Sequence, residues 1–550
     1  MPPIGSSTEA REAQVAWSIF ERGDWILPLR NGLVPSKPML YHWCSAFLAL
    51  LCGSHEIWQL RLVSLLFSAG VLVLCLSLAW RWSRGSLAVC MISGMLLSLT
   101  YGFSVLVVQI RVDMAFAFFL TLACWSLLHR FSERQICSPS DLLSADFTLF
   151  WAASGLAVLA RGPLGVVLPV VILLGVFWSE WGPRRAFLAM LRPQIGWLFF
   201  LLLAVPWYVL AMQQAGDAFV SRQLVFENLQ RFLGGQNVNH EPFWFYLPSL
   251  LRTALPWSLI FFAGLWALRP GARSSGRSQA GCGERDSLVF RLTALWFLTG
   301  FVFFSLSSGK RHSYLLPLYV PLALHVAWQL RRYWETLSDA ARGRWLHFMN
   351  RSAPAALCLS MALVVEVLRL VAASSGPLWL EAGQWLTPWF VRAELFFCLA
   401  AGGLWFAERK CRGQALGSLF AIWFSLHAVL ATVIITGAAL KNHFKGYEGM
   451  ASAINASSGK QHLDVLLAER EEIFDVLLYY LKREVNLKPP LAQSLDCGRF
   501  SLTHSGWYNS LRVEAEAQGI AVQETGRFYQ PYRLSRGEKD QAIVLFKCVR

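Results

Sequence analysis

"LRLVSLLFSAGVLVLCLSLAWR", residues Leu60–Arg81, decides the fold. Its only charges, Arg61 and Arg81, sit at its two ends. The stretch between them is apolar or small for about the 20 residues that cross a bilayer. Lipid offers the backbone no hydrogen-bond partner, so such a run must satisfy its own peptide groups as a helix. Working outward, similar runs recur at 87–108, 113–129, 147–160, 163–178, 195–212, 244–267, 288–306, 313–329, 354–373, 392–407 and 416–437. With 60–81 they predict an all-α polytopic membrane protein of twelve spans. The runs 147–160 and 163–178 are short and meet at "ARGP", which reads as a tight pair of spans more readily than as one broken helix. Three regions result: 1–59 as a first loop with interfacial helices, 60–437 as the transmembrane domain, and 438–550 as a small C-terminal α/β domain.

Composition supports a membrane protein. Hydrophobic residues make up 55% of 550 and charged residues 15%, whereas soluble domains carry about 25% charged residues. A net charge of +15 would suit a nucleic-acid partner. The positive-inside rule explains the charge better, so no nucleic acid is expected. The basic loops alternate: Arg81 and Arg84, then Arg130 and Arg134, then Arg184, Arg185 and Arg192, and so on through Arg409, Lys410 and Arg412. That set reads as cytoplasmic. The opposite set holds the first loop, "QIRVD", "ARGP", 213–243, "SGKRHS" and the tail, and reads as outward-facing. The twelve cysteines show no C-x-x-C spacing and mostly lie in apolar runs, as buried structural residues do. Cys497 and Cys548 lie in the tail, where a disulfide is open to them.

The chain opens on an amphipathic helix instead of a span. Ser6 and Glu9 fit a capping box, Ala13, Ala16, Trp17 and Phe20 form an apolar stripe, and Gly23 suits the stop. This helix is expected to lie flat on the membrane with Trp17 and Trp25 at headgroup depth. In the tail, "LDVLLA" (463–468) and "AIVLFKCV" (542–549) read as strands, and "EEIFDVLLYYLKR" (471–483) reads as a helix. The tail carries no catalytic signature and is expected to be a docking or lid domain.

Charged residues at membrane depth are functional hypotheses by default. Arg11, Lys37, Arg111, Arg161, Arg222, Arg231, Lys310 and Arg311 all sit on the outward side, against the positive-inside trend. Phosphate is their natural counter-ion. Glu9, Glu12, Asp24, Asp113, Glu227 and Glu241 supply carboxylates near them, and His240 and His312 add imidazoles. Cations that neutralise a departing phosphate, with a carboxylate for an acceptor proton, suit transfer of a sugar from a lipid phosphate. The chain has no Gly-rich phosphate loop of a nucleotide site.

At these residues a resemblance enters. "EAREAQVAWSIFERGDWILPLRNGLVPSKPMLYHW", "QIRVDMAFAFF", "LAVLARGPLGVVLP", "ENLQRFLGGQNVNHEPFWFYLP" and "FFSLSSGKRHSYLLPLYVPLAL" resemble, in order and spacing over about 6–325, the ArnT-like, protein-mannosyltransferase-like family of GT-C glycosyltransferases. The resemblance implies a GT-C fold of typically thirteen spans in a bacterial inner membrane. It implies an inverting transfer at the periplasmic face from a polyprenyl-phosphate-linked sugar to a lipid or glycan acceptor. Arg11 takes the place of the motif's arginine and Lys37 that of the lysine in K-P, both toward the donor phosphate. Asp113 takes the second acidic position, and Arg161 stands where lysine before Gly-Pro is common. His240 matches the histidine before P-F-W, and Lys310 and Tyr314 match the late S-K-x-x-x-x-Y-L-L-P element.

Two departures shape the expectations. Thr8 replaces the first acid of the D-E pair, which leaves Glu9 and Asp113 as candidate catalytic carboxylates. Ser36 replaces a glutamate that helps bind a divalent metal in some members, so no metal is expected to be required. The donor phosphate is then expected to meet Arg11, Lys37, Arg161, Lys310 and Arg311, and the substrates Arg111, His240 and Tyr314. The family has a span before the opening helix, and its absence here is read as a truncated start or a shortened protein. A lipid-linked sugar flippase and an inactive relative remain as alternatives.

Overall fold

The computed structural model describes residues 4–132, 144–181, 195–234, 241–267, 283–348, 446–459, 461–467, 472–483, 485–529 and 542–549, with isolated positions besides. The opening helix α1 (Ser7–Arg22) starts where Ser6 Oγ accepts from the Glu9 amide. It stops at Gly23, whose left-handed φ of 71° returns its N–H to Ile19 O. Helix α2 (Leu40–Cys52) follows, ending at Gly53 with φ 64°. The bundle proper begins with α3 (Ile57–Trp82), which contains the stretch that decides the fold.

Four helices among the described residues are long and apolar enough to cross a membrane: Ile57–Trp82, Asp113–Phe131, Ile195–Gln230 and Asp286–Leu306. The pair α4 (Leu87–Leu99) and α5 (Tyr101–Val107), bent by 70°, is long and apolar enough only when taken together, as a broken span or a re-entrant loop. The bend falls at Thr100, whose backbone is extended and whose hydroxyl donates back to Leu96 O. Four more of the twelve expected runs are interrupted or short. The run 147–160 followed by 163–178 forms α7 (Ser144–Arg161) and α8 (Leu164–Trp181), two helices joined at Gly162. The run 244–267 breaks into Tyr246–Ala254 and Trp257–Ala267, because Pro256 forces Leu255 out of the helical region. The run 313–329 begins as a 3-10 turn, His312–Leu318, and continues as Tyr319–Thr336. Runs 354–373 and 392–407 lie outside the described residues, and 416–437 is described only at scattered positions between 422 and 434.

The tail is a mixed α/β unit with strand order β2-β1-β3-β5-β4. β1 (Leu463–Leu466) pairs in parallel with β2 (Val485–Lys488) and β3 (Phe500–His504). β5 (Ile543–Val549) lies inside the sheet, antiparallel to both β3 and the edge strand β4 (Ala521–Phe528). Its position explains its nearly unbroken burial. Cys497 and Cys548 form a disulfide.

The tail corrects one expectation directly. Helix α1 does not lie open on the membrane. It is sandwiched between the bundle and the tail helix Glu472–Leu481, and Ala10, Ala13, Ala16 and Ile19 are buried. Buried Asp475 holds it there. Its carboxylate accepts from Ser7 Oγ at 2.7 Å and from Arg30, with Arg11 Nε at 3.8 Å, and its carbonyl accepts from Gln14 Nε2 at 2.7 Å. Trp17 therefore faces the tail and Trp25 stays exposed.

Candidate functional site

Five segments converge at one end of the bundle: the start of α1, the residues before α2, the turn before α6 (Asp113–Leu128), the end of α7, and the turn before His312–Leu318. They bring Thr8, Glu12, Lys37, Arg111, Asp113, Arg161, Arg311 and Tyr314 around one narrow cleft of about 20 Å³, roughly one water's worth of room.

Asp113 is the hub. Its carboxylate accepts from Arg111 Nε at 2.7 Å and from Arg161, and it is 3% exposed. Arg111 reaches on to Ser313 Oγ at 3.2 Å. The Arg161 guanidinium lies over the Tyr314 ring at 4.4 Å and the Phe116 ring at 5.3 Å. Aromatic faces stabilise a cation that is short of water, and a planar guanidinium presents several donors to an oxyanion. The turn holding Arg161 needs glycine at two points. Gly162 has φ +88°, and a Cβ on Gly165 would meet the Ala157 and Val158 backbone at 2.2–2.6 Å.

Lys37 donates to Glu227 Oε2 at 2.8 Å, and Arg222 lies 3.6 Å from Glu227 Oε1. Glu227 comes from the π-helical segment Val220–Gln230, so that irregular stretch positions Lys37 from 190 residues away. Glu12 and His42 form a buried pair, Oε2 to Nε2 at 2.6 Å. Burial raises the Glu12 carboxyl, but His42, Arg11 and Lys37 outweigh it, so Glu12 titrates below its ordinary value. Arg311 lines the cleft, and its amide donates to Tyr246 Oη at 3.4 Å.

The expected residues divide. Asp113, Lys37, Arg111, Arg161, Arg311 and Tyr314 come together. Glu9 does not join them: its carboxylate is buried against Arg61 at 3.3 Å and accepts the Ile110 amide at 3.1 Å. Successive helical residues turn by about 100°, so where Thr8 faces the cleft Glu9 faces the bundle. Arg11 turns toward Asp475 in the tail, away from the cleft. Lys310 is buried below the surface, donating to Glu241 O at 3.0 Å and to Ser307 O; burial lowers its pKa against the pull of Glu241. His240 lies outside the described residues. His312 is committed elsewhere, stacked on Phe245 at 4.9 Å and bonded to Ser249 and Arg252. Glu12 is one of the carboxylates visible in the sequence, but its partnership with His42 is not, because it joins positions 30 apart across a helix break. The apolar stripe pointed to α1's other side.

Among known proteins, residues 30–223 match the family model described as dolichyl-phosphate-mannose-protein mannosyltransferase. The undecaprenyl phosphate-alpha-4-amino-4-deoxy-L-arabinose arabinosyl transferase of Pectobacterium carotovorum is 29% identical over 65% of this chain and 61% of its own length. The protein so named in Pseudomonas aeruginosa (strain LESB58) is 31% identical over 58% of this chain and 54% of its own. Transferase 1 of that name in Sodalis glossinidius is 28% identical over 87% of this chain and 81% of its own. In the first two, the match spans less than two thirds of the relative. The crystal structure of ArnT from Cupriavidus metallidurans bound to undecaprenyl phosphate superposes with a TM-score of 0.67 and 20% identity, over 99% of this chain and 94% of that one. Its apo form gives the same TM-score at 19% identity. These likenesses establish the fold.

Proposed function

We infer, from a chain that belongs with the ArnT-like, protein-mannosyltransferase-like proteins of GT-C fold, that it transfers a sugar from a polyprenyl-phosphate donor to an envelope acceptor at the periplasmic face of the inner membrane. The observation that carries this reading is the cleft itself: Lys37, Arg111, Arg161 and Arg311 gathered beside Asp113 and Glu12. The relatives' names supply the donor, undecaprenyl phosphate carrying 4-amino-4-deoxy-L-arabinose. The outward orientation rests on the loop charges, and the full count of twelve spans rests on the apolar runs.

In the reaction, the bond between the sugar's anomeric carbon and the phosphate oxygen breaks. A bond from that carbon to the acceptor oxygen forms on the opposite face. Undecaprenyl phosphate leaves with the electron pair and the added charge, which Arg161, Lys37 and Arg311 neutralise. Arg161 and Lys37 are parked on Asp113 and Glu227 until the donor phosphate competes for them. Glu12, held below its ordinary value, is a weak base. Such a site suits an acceptor that is already an anion, such as a phosphate of a lipid A-like lipid, which attacks without losing a proton. Asp113 orients the arginines. Ser36 argues that no divalent metal is required.

The test is sugar transfer in membrane vesicles from the undecaprenyl-phosphate aminoarabinose donor. Arg161→Ala and Lys37→Ala are each expected to lower turnover about 100-fold, the scale of losing one donor to developing charge. Dephosphorylating the acceptor lipid should abolish transfer, and EDTA should leave it intact. Full transfer by both variants sinks the assignment of the cleft. Export of donor without transfer would favour a flippase.

A further inference from the structure

Two carboxylates line the transfer cleft among the described residues, and they are held differently. Asp113 is occupied by Arg111 and Arg161. Glu12 is occupied on one side alone. Its Oε2 meets His42 Nε2 at 2.6 Å, and His42 is wholly buried. Its Oε1 accepts no hydrogen bond among the described residues. Glu12 is 4% exposed and lines the cleft, so the surface it keeps is offered there.

Neighbouring cations do not fill that open oxygen. Arg11 and Lys37 act on Glu12 through space and help to keep it ionised, but Arg11 turns to Asp475 and Lys37 donates to Glu227. A buried carboxylate is costly unless it is paired and hydrogen-bonded. The open oxygen therefore calls for a guest that brings a charged N–H. An ammonium group does so, whereas a hydroxyl makes a hydrogen bond about half as strong. Thr8, one turn earlier on the same face of α1, is neutral, so Glu12 carries the negative charge that this helix presents to the cleft.

The donor inferred for this cleft has a cationic group to offer, the amine of its sugar. The matched family model is named for mannose, which has no amine, and the relatives are named for an aminopentose. A site in this family must therefore choose between the two kinds of sugar. We propose that Glu12 makes that choice here: its open oxygen accepts a hydrogen bond from the ammonium of an amino sugar and favours that sugar over one with a hydroxyl at the same carbon. The phosphate goes to Lys37, Arg161 and Arg311, and His42 holds the other Glu12 oxygen in place. This assignment rests on the transfer reading of the cleft.

The experiment uses the full chain in nanodiscs without acceptor. The two probes are polyprenyl phosphate carrying 4-amino-4-deoxyarabinose and the same lipid carrying arabinose, in which a hydroxyl replaces the amine. Affinity for each is measured on the parent, on Glu12→Gln and on Lys37→Ala. The parent is expected to bind the amino donor at least tenfold more tightly, the scale of one charge-assisted hydrogen bond. Glu12→Gln keeps the shape and a partner for His42, and is expected to lose the preference by weakening the amino donor alone. Lys37→Ala should weaken both donors alike and keep the ratio. Equal affinities in the parent overturn the proposal. So does a Glu12→Gln variant that keeps the preference, or one that weakens both donors equally, which would place Glu12 in the phosphate site or the scaffold. With acceptor lipid added, the preference should reappear in KM. Preferential binding with no transfer from either donor would sink the transfer reading and leave the amine assignment standing. Transfer from both donors with the same KM would do the reverse.

Discussion

At the scale of single residues, α1 separates jobs that the sequence packs side by side. Thr8 and Glu12 are one helical turn apart and share the cleft, while Glu9 gives its amide to the Ser6 cap and its carboxylate to the bundle. Glu9 offsets the buried charge of Arg61 and accepts the Ile110 amide just before the Arg111–Asp113 turn. Removing one member of a buried pair strands the other, at a cost of about 3–5 kcal/mol. Glu9→Ala should therefore lower the melting temperature in detergent. Glu12→Gln should leave the melting temperature near that of the parent, because His42 keeps a hydrogen-bond partner in the amide, and should lower turnover only with an acceptor that must lose a proton. Thermal unfolding and transfer rate, measured on both variants, check the division. A reversed pattern, with Glu9→Ala stable but inactive, would return the catalytic carboxylate to Glu9.

At the scale of elements, what was legible followed local rules. The capped opening helix, the span Ile57–Trp82, the paired short helices around "ARGP" and the tail helix all come from spacing and punctuation. The bend at Thr100 and the break before Pro256 interrupt runs that hydropathy alone joins. The site was legible as residue types and mostly illegible as partnerships. Lys37 with Glu227 and Arg11 with Asp475 join residues hundreds of positions apart, which no periodicity encodes. The Arg161 turn is the intermediate case: glycine is visible in the sequence, but the reason for it is contact. A methyl on Gly165 would overlap the backbone of the preceding helix, and backbone cannot rotate away as a side chain can. Gly165→Ala should thus force α7 and α8 apart, lower the melting temperature and displace Arg161. Transfer should fall even where protein survives. An active, normally stable Gly165→Ala would show that the two helices are not packed this closely.

At the scale of the whole molecule, α1 is the shared wall between bundle and tail. One face lines the cationic cleft and the other lines a cavity against the tail helix. Asp475 fixes which way it faces, with four residues of the first loop drawn to one tail residue: Ser7, Arg11, Gln14 and Arg30. Without that carboxylate, Arg11 and Arg30 keep their charges in a largely desolvated place. Asp475→Asn retains the shape and the backbone carbonyl for Gln14 but loses the charge. It should loosen the tail, seen as faster proteolysis in the 446–549 region, and it should leave Arg11 uncommitted. Two outcomes then differ in meaning. If transfer falls with KM raised and turnover kept, the tail serves to hold α1 in the orientation that binds donor. If turnover falls while KM holds, the clamp acts on the reacting geometry itself. Unchanged proteolysis and unchanged kinetics would mean that apolar packing alone seats the tail, and that the ion pairs around Asp475 only fill its interface.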